Sequence, residues 1–356
     1  KDRMTDTSPA PEYRRDPVAG RWVIFAPERS LRPLGLSHSK PHARRDAERD
    51  TCPFCEGWEA ETPRELFSVR APGSPPDGRG WRLRVVPNRF PAVRPMATLT
   101  PVAGAGGPFE AAAGVGAHEV VIECPQHKSS PTALTDAEFA AVIRTYRERI
   151  TALAADPRYA YVTVFKNVGA EAGASLAHLH SQIVATPMVP DAVRQELDGA
   201  ADYHRRQGRC VFCDIVRRET EAGVRVVARS EHFLAVTAFA GRFAYETWVL
   251  PTAHASRFEA ITDAHAAELA RLMKLVLGKV DGVLGHPAYN YYLHTAPVRS
   301  GDLPHYHWHV EVVPRTARPA GFEWGSGCFI NAVLPEAAAA DLRAAEPPPD
   351  DDIFGP

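Results

Sequence analysis

The stretch His178-Leu179-His180-Ser181-Gln182 has a counterpart at His307-Trp308-His309-Val310-Glu311. Each copy lies downstream of its own cysteine pair, Cys52-Pro53-Phe54-Cys55 or Cys210-Val211-Phe212-Cys213. A His-x-His alternation on a strand puts both imidazoles on one face. One ring is then free to hold a metal while the other does chemistry. Two copies in the same order call for one unit built twice.

The repeat extends between these landmarks. His127 and His254 are each followed, seven residues of unrelated character later, by Thr-Asp-Ala. Thr135 with Glu138 three residues on forms a capping box, and Phe139, Val142, Ile143, Tyr146, Ile150 and Leu153 follow at helical spacing. Thr262 opens the second helix, with Leu269, Leu272, Met273, Val276 and Val280 facing inward. Strand-like runs come next, at Tyr159–Phe165 and Tyr289–Leu293. The interval from His127 to His178 is 178 − 127 = 51 residues, and from His254 to His307 it is 307 − 254 = 53. That near-equality is what a duplication predicts.

The seam falls in the polar, partly helical stretch Pro190–Arg209. Residues 1–190 form the first half, 191–345 the second, and 346–356 an acidic, proline-rich tail expected to be disordered. Ala92–Gly116 and Pro72–Gly80 read as loops. The fold expected is α+β: a tandem duplication, mainly antiparallel sheets with helices packed on one face.

Composition narrows the function. Net charge is −2, with 45% hydrophobic and 24% charged residues, so neither nucleic acid nor a membrane is expected as partner. No apolar run reaches the roughly 18 residues a membrane span needs, and the N-terminus lacks a signal-peptide pattern. Six cysteines are too few for a disulfide scaffold in a chain of 356 residues, which points to a cytoplasmic protein. Cys124 and Cys328 read as packed thiols.

Zinc takes four Cys or His ligands in a tetrahedron. The first set expected is Cys52, Cys55, His127 and His178; the second is Cys210, Cys213, His254 and His307. Two zinc ions per chain follow. His118 competes for the first site, and His294, His305 and His309 for the second. Closed coordination leaves no open position for substrate, so the metal pins the strand and His180 does the chemistry. A neutral imidazole is a good nucleophile at phosphorus and a good leaving group. The small-residue stretch Asn167–Ser175 suits close approach of backbone N–H groups to phosphate. Gln182, on the same strand face as His180, places an amide donor beside developing charge.

At these residues the chain resembles the galactose-1-phosphate uridylyltransferase family, a branch of the histidine triad superfamily. The resemblance covers Arg15–Ile24, Val86–Ala92, Pro125–His127, Asn167, Gly173–Ser175, His178–Gln182 and Tyr245–Thr247. It implies a histidine-triad-like fold and ping-pong nucleotidyl transfer through His180. Asn88, Asn167, Gly173, Ser175 and Gln182 match positions near the nucleotide and its phosphates. Arg29 and Arg32 match a basic segment that reaches substrate. It also implies a homodimer whose second half and C-terminal region reach the partner's site.

The resemblance has departures. Leu179 and Ser181 replace the Pro and Gly of many members. Ser181 with the Gly173-Ala174-Ser175 loop, and the run Gly321–Asn331, resemble a branch that includes ADP-glucose phosphorylase. The second cysteine pair replaces a Glu/His metal site of some members, and His309 and Glu311 read as non-catalytic relics.

The leading expectation is UDP-glucose:hexose-1-phosphate uridylyl transfer, with a nucleotide sugar and a sugar 1-phosphate as substrates. The alternative is ADP-glucose phosphorylase, with inorganic phosphate as acceptor. A third, of another class, is a zinc-binding module without catalysis.

Overall fold

The computed structural model describes residues 10–31, 51–96 and 107–346. Arg32, the middle of the Ala92–Gly116 loop and all of the tail after Glu346 lie outside the described residues.

Near the N-terminus, β1 (Glu12–Arg15) and β2 (Trp22–Phe25) form a hairpin. The first half then supplies β3 (Phe67–Arg70), β4 (Trp81–Pro87), β5 (Ala117–Ile122), helix α1 (Asp136–Ala154), β6 (Tyr161–Val168) and β7 (His180–Thr186). Helices α2 (Asp191–Gln207) and α3 (Val211–Ala222) cross the seam. The second half repeats the plan: β8 (Val226–Arg229), β9 (Phe233–Thr237), β10 (Thr247–Pro251), helix α4 (Asp263–Leu284), β11 (Tyr289–His294) and β12 (His309–Pro314). Short α5 (Gly321–Ser326), β13 (Phe329–Asn331) and α6 (Pro335–Ala344) follow. Among the described residues, no helix is long and apolar enough to cross a membrane.

The two halves share one sheet. Its ten strands run β3-β4-β5-β7-β6-β11-β12-β10-β9-β8, all antiparallel, and each half places its fifth strand inside its fourth in the same way. The halves join where β6 pairs with β11. Each of these strands would otherwise present an open edge, and pairing them satisfies both rows of backbone groups. The sequence repeat shows two sheets' worth of strands, but edge pairing between them leaves no mark in side-chain periodicity. A small second sheet joins the termini, with β13 running parallel to β2.

The capping box on α1 forms as expected, and Thr262 accepts from the His265 N–H at the start of α4. Helices α1 and α4 pack against each other on one face of the large sheet. There Phe139, Val142, Leu269, Met273 and Val276 meet Val164, Ile183, Val249 and Val312 in the main core. The opposite face differs between the halves. In the second half, α2 and α3 cover it through Ala200, Val211, Phe212 and Val216 in one cluster with Leu234, Val236 and Trp248. Strands β9, β10 and β12 are consequently buried throughout; β9 and β10 read as nearly continuous apolar runs, whereas β12 buries His309 and Glu311. In the first half, no helix among the described residues covers that face. Phe54, from the first cysteine pair, packs there on Trp81, Val86, Val120 and Ile122. The open side of the sheet is where His180 and Gln182 point.

Candidate active site and metal centres

His178 and His307 each stand just before their strand, which begins two residues later at His180 or His309. The first cluster brings together Cys52, Cys55, His127 and His178. Cys55 Sγ lies 3.5 Å from His127 Nδ1 and 3.4 Å from His178 Nδ1, and Cys52 Sγ lies 3.6 Å from His178 Nδ1. Tetrahedral zinc with ordinary Zn–S and Zn–N lengths separates sulfur from nitrogen by about 3.5 Å. The four donors therefore fit the ion. His178 Nε2 donates to the Cys124 carbonyl at 2.8 Å, which leaves Nδ1 as the lone pair facing the sulfurs. Burial pushes the His178 imidazole down to about 3, so it is neutral, as a metal ligand must be.

The second cluster, Cys210, Cys213, His254 and His307, reproduces this. Cys213 Sγ lies 3.3 Å from His254 Nδ1 and 3.8 Å from His307 Nδ1. His307 Nε2 donates to the Pro251 carbonyl at 2.9 Å. Pro251 precedes His254 by three residues, as Cys124 precedes His127. The expected rivals are engaged elsewhere. His118 bonds to Gln182, His294 pairs with Glu196 at 2.7 Å, and the His305 ring lies against His204.

His180 is nearly buried, and its Nδ1 donates to the His178 carbonyl at 2.8 Å. That bond sets the tautomer and leaves the Nε2 lone pair unprotonated. Burial lowers the imidazole's affinity for a proton, and the Lys166 ammonium lowers it further. The Phe54 ring stands edge-on to His180 at 5.3 Å. On the core side of the same strand, Lys166 Nζ donates to Glu123 at 2.7 Å and to the His180 carbonyl at 3.1 Å. Ser181, one residue on, accepts from Tyr146 OH at 2.8 Å. These buried bonds hold the His180 backbone from below.

Gln182 is oriented in the same manner. The Ala92 N–H donates to His118 Nδ1 at 3.1 Å, so the ring's proton sits on Nε2, which donates to Gln182 Oε1 at 2.7 Å. Asn88 Nδ2 adds a longer contact to the same oxygen, 3.4 Å. With its oxygen occupied, Gln182 has only its amide N–H groups left to offer a ligand.

Asn167 lies at the mouth of a turn, Ala170–Ala172, flanked by Gly169 at φ +85° and Gly173 at φ +91°. Non-glycine residues rarely adopt those angles. The amides of Ala172, Gly173 and Ala174 bond within the turn, so it is held in shape without a ligand. Ser175 is exposed just beyond it. Arg29 sits in a 3-10 turn after β2, and among the described residues no hydrogen bond links it to His180 or Gln182.

A third group, Glu196, His294, His309 and Glu311, lies where the second half mirrors His180. Arg242 fills this pocket, donating to Glu246 at 3.0 Å and also to Glu311 and Tyr292.

A family model for galactose-1-phosphate uridyl transferase, N-terminal domain, matches residues 1–190. The chain belongs to the galactose-1-phosphate uridylyltransferase family. A second model, a domain of unknown function (DUF4921), matches residues 117–344. Among relatives of the family, ADP-glucose phosphorylase of Arabidopsis thaliana is 38% identical over 336 residues, covering 94% of this chain and 93% of that one. The galactose-1-phosphate uridylyltransferase of Thermotoga maritima is 28% identical over 344 residues, covering 94% and 98%. The crystal structure of the Arabidopsis thaliana ADP-glucose phosphorylase with bound ADP-glucose superposes with a TM-score of 0.79 at 36% identity, covering 95% of this chain and 99% of that chain. A uridylyltransferase structure gives 0.72 at 29%, covering 94% and 98%. The chain is thus an enzyme of the nucleotidyl-transferring kind, and the nearer of these likenesses is to the phosphorylase rather than to the uridylyltransferases expected first.

The family motifs point to His180, Gln182, Asn88 and Asn167. They do not locate His118 as the partner of Gln182, nor the Glu123–Lys166 pair. Lys166 left a trace, a lone cation within the apolar run Tyr161–Val168. His118 carried none, since its role depends on which strand lies beside β5.

Proposed function

We propose that this protein is an ADP-glucose phosphorylase. His180 Nε2 attacks the α-phosphorus of ADP-glucose; an N–P bond forms, the bridging P–O bond breaks, and glucose 1-phosphate leaves. Inorganic phosphate then attacks the same phosphorus, the N–P bond breaks, and ADP departs with the imidazole neutral again. The observation that carries this reading is the likeness to the Arabidopsis thaliana ADP-glucose phosphorylase, and the Nδ1–H bond of His180 to the His178 carbonyl makes Nε2 the nucleophilic atom. Gln182 and Asn167 donate amide N–H groups to the phosphate oxygens as charge develops. Arg29, Arg32, Asn88, Gly173 and Ser175 complete the substrate-binding set.

Cys52, Cys55, His127 and His178 hold one zinc ion, and Cys210, Cys213, His254 and His307 another. Bound there, the metal fixes the backbone ahead of each strand. Unoxidised thiol ligands suit the cytoplasm. The exposed aromatic side chains of Tyr13, Trp22, Phe322 and Trp324 supply apolar surface for a second copy, which supports the homodimer. Uridylyl transfer to a hexose 1-phosphate is the second reading, favoured by the family match over residues 1–190.

ADP-glucose and UDP-glucose, each labelled in the α-phosphate, decide between them after an alkaline quench that preserves the N–P bond. The expected result is label retained from ADP-glucose and released as ADP by inorganic phosphate. Retention from UDP-glucose alone selects the second reading, and retention of neither label overturns both.

A further inference from the structure

We propose that Asn290, from the second half, is a positioning residue for nucleotidyl transfer: it sets which end of the Asn167 side-chain amide faces the phosphate-binding turn. The inference rests on the transfer reading above and adds to it a residue from the opposite half of the duplication.

Asn290 stands directly across from Asn167 where β11 pairs with β6. Its side chain is buried and spans three partners. Arg315 Nε donates to Asn290 Oδ1 at 2.5 Å. Asn290 Nδ2 donates to Asn167 Oδ1 at 2.7 Å and to the Ala172 carbonyl at 2.9 Å. The polarity of this chain is determined at both ends. A guanidinium nitrogen can only donate and a carbonyl oxygen can only accept. The Asn290 amide therefore has one orientation, oxygen to Arg315 and nitrogen to Ala172. That orientation obliges Asn167 to turn its oxygen toward Asn290.

The Asn167 nitrogen is left on the turn side. A Cβ on Gly173 would stand 3.7 Å from Asn167 Nδ2, so this donor lies against the residue that closes the turn. Without Asn290, the Asn167 amide has no reason to prefer this end, and a flip would present an oxygen to an anion. Asn290 also ties Ala172, the last residue of the turn, to the same point. Arg315 is itself anchored, since its backbone N–H donates to the Ala288 carbonyl at 2.7 Å. Asn290 bonds to Asn167 and the turn, and its effect passes through them.

The test measures formation of the nucleotidyl-His180 adduct from labelled ADP-glucose and UDP-glucose in full-length zinc-loaded protein. Asn290→Asp keeps the shape and the acceptor for Arg315 but removes the donor to Asn167. It is expected to slow adduct formation roughly 100-fold, the size of losing one well-placed donor to developing charge. KM for the nucleotide sugar and zinc content should stay within about twofold, since ground-state binding is not the target. Asn167→Ala is expected to show a similar loss. In that background, Asn290→Asp should add less than about twofold, because the amide it orients is gone. Arg315→Met, at a half-buried position, gives a second route should the buried substitution fail to fold. Its loss of about tenfold should likewise vanish in Asn167→Ala. An equal loss in both backgrounds, or no loss in either, overturns the positioning role. Wild-type protein that labels with neither nucleotide overturns the transfer reading itself, and the relay falls with it.

Discussion

On β7, His180 donates from Nδ1 to the carbonyl two residues back, and the next residue on its face is Gln182. On β12, His309 makes the corresponding bond at 3.1 Å, and the next residue is Glu311. Each ring packs against the phenylalanine of its own cysteine pair, Phe54 at 5.3 Å and Phe212 at 5.0 Å. The backbones are therefore alike, and the surroundings are not. His309 is fully buried beneath α3, with Trp248 at 5.3 Å and His294 at 4.9 Å. Among the described residues its Nε2 has no hydrogen-bond partner; it lies 3.6 Å from a Glu311 oxygen, with the Arg242 guanidinium also on that carboxylate. A phosphate arriving there would meet a carboxylate and a packed indole. At β7 the neutral amide of Gln182 occupies the place of Glu311, and among the described residues no helix covers the face. A nucleophile needs an open side and a donor for developing charge. Among the described residues, the first half presents both and the second presents packing in their place.

Removing each imidazole puts the comparison at its greatest risk. His180→Asn should lower turnover by roughly 10⁴-fold or more, as loss of a covalent nucleophile does. His309→Asn should leave turnover within about threefold and lower stability by about 1–3 kcal/mol. Steady-state kinetics with thermal melts separate the two, and equal losses of turnover would show that the second strand is not merely scaffold.

Each strand is also braced by a buried ion pair, Lys166–Glu123 under His180 and Arg242–Glu311 beside His309. Breaking either leaves an uncompensated buried carboxylate, at a cost of about 3–5 kcal/mol. Lys166→Met should also reduce turnover, because the ammonium holds the His180 carbonyl. Arg242→Met should spare it at temperatures where the protein is folded. Denaturant melts paired with kcat test this, and a reversal of the two activity effects would refute the division of labour.

The metal clusters sharpen it further. Cys55→Ser should remove one zinc equivalent and with it about tenfold or more in kcat, as damage to a metal shell does. Cys213→Ser should remove one equivalent with a smaller change in kcat. Metal analysis of both variants alongside their rates gives the answer.

Much of this comparison is legible in the residue order. Both cysteine pairs, His127 and His254, and the capped helices announce two copies of one plan, and His180 with Gln182 stands out as the copy that keeps polar, uncharged chemistry. What escapes is set by partners far apart in sequence. His118 reads as a spare metal ligand until β5 is known to lie beside β7. Asn290 is unremarkable, and its tie to Asn167 invisible, until β6 and β11 are known to close the sheet. Arg242 sits in a loop with no periodicity, and only its three partners reveal why the second pocket is shut.

The smallest effect asks whether the second half also steadies the N-terminal hairpin. Glu336 on α6 accepts from Arg14 of β1 at 2.9 Å and from Arg225, beside β8, at 2.6 Å. Burial works against the charged carboxylate, but the bonds from Arg14 and Arg225 outweigh it and bring the group from 4.5 down to about 2. A carboxylate stabilised in the folded state contributes fully above its unfolded value, and that contribution fades as pH falls from about 4.5 toward 2. The side chain is one-third exposed, so solvent screening holds the contribution to about 1 kcal/mol or less. Glu336→Gln should therefore melt about 1–2 °C below wild type at pH 7, with the gap closing as the pH falls below 4. A gap that persists at low pH would mean the clasp acts through shape rather than charge. Loss of turnover in the folded variant would extend the second half's influence to the hairpin that leads into the turn carrying Arg29.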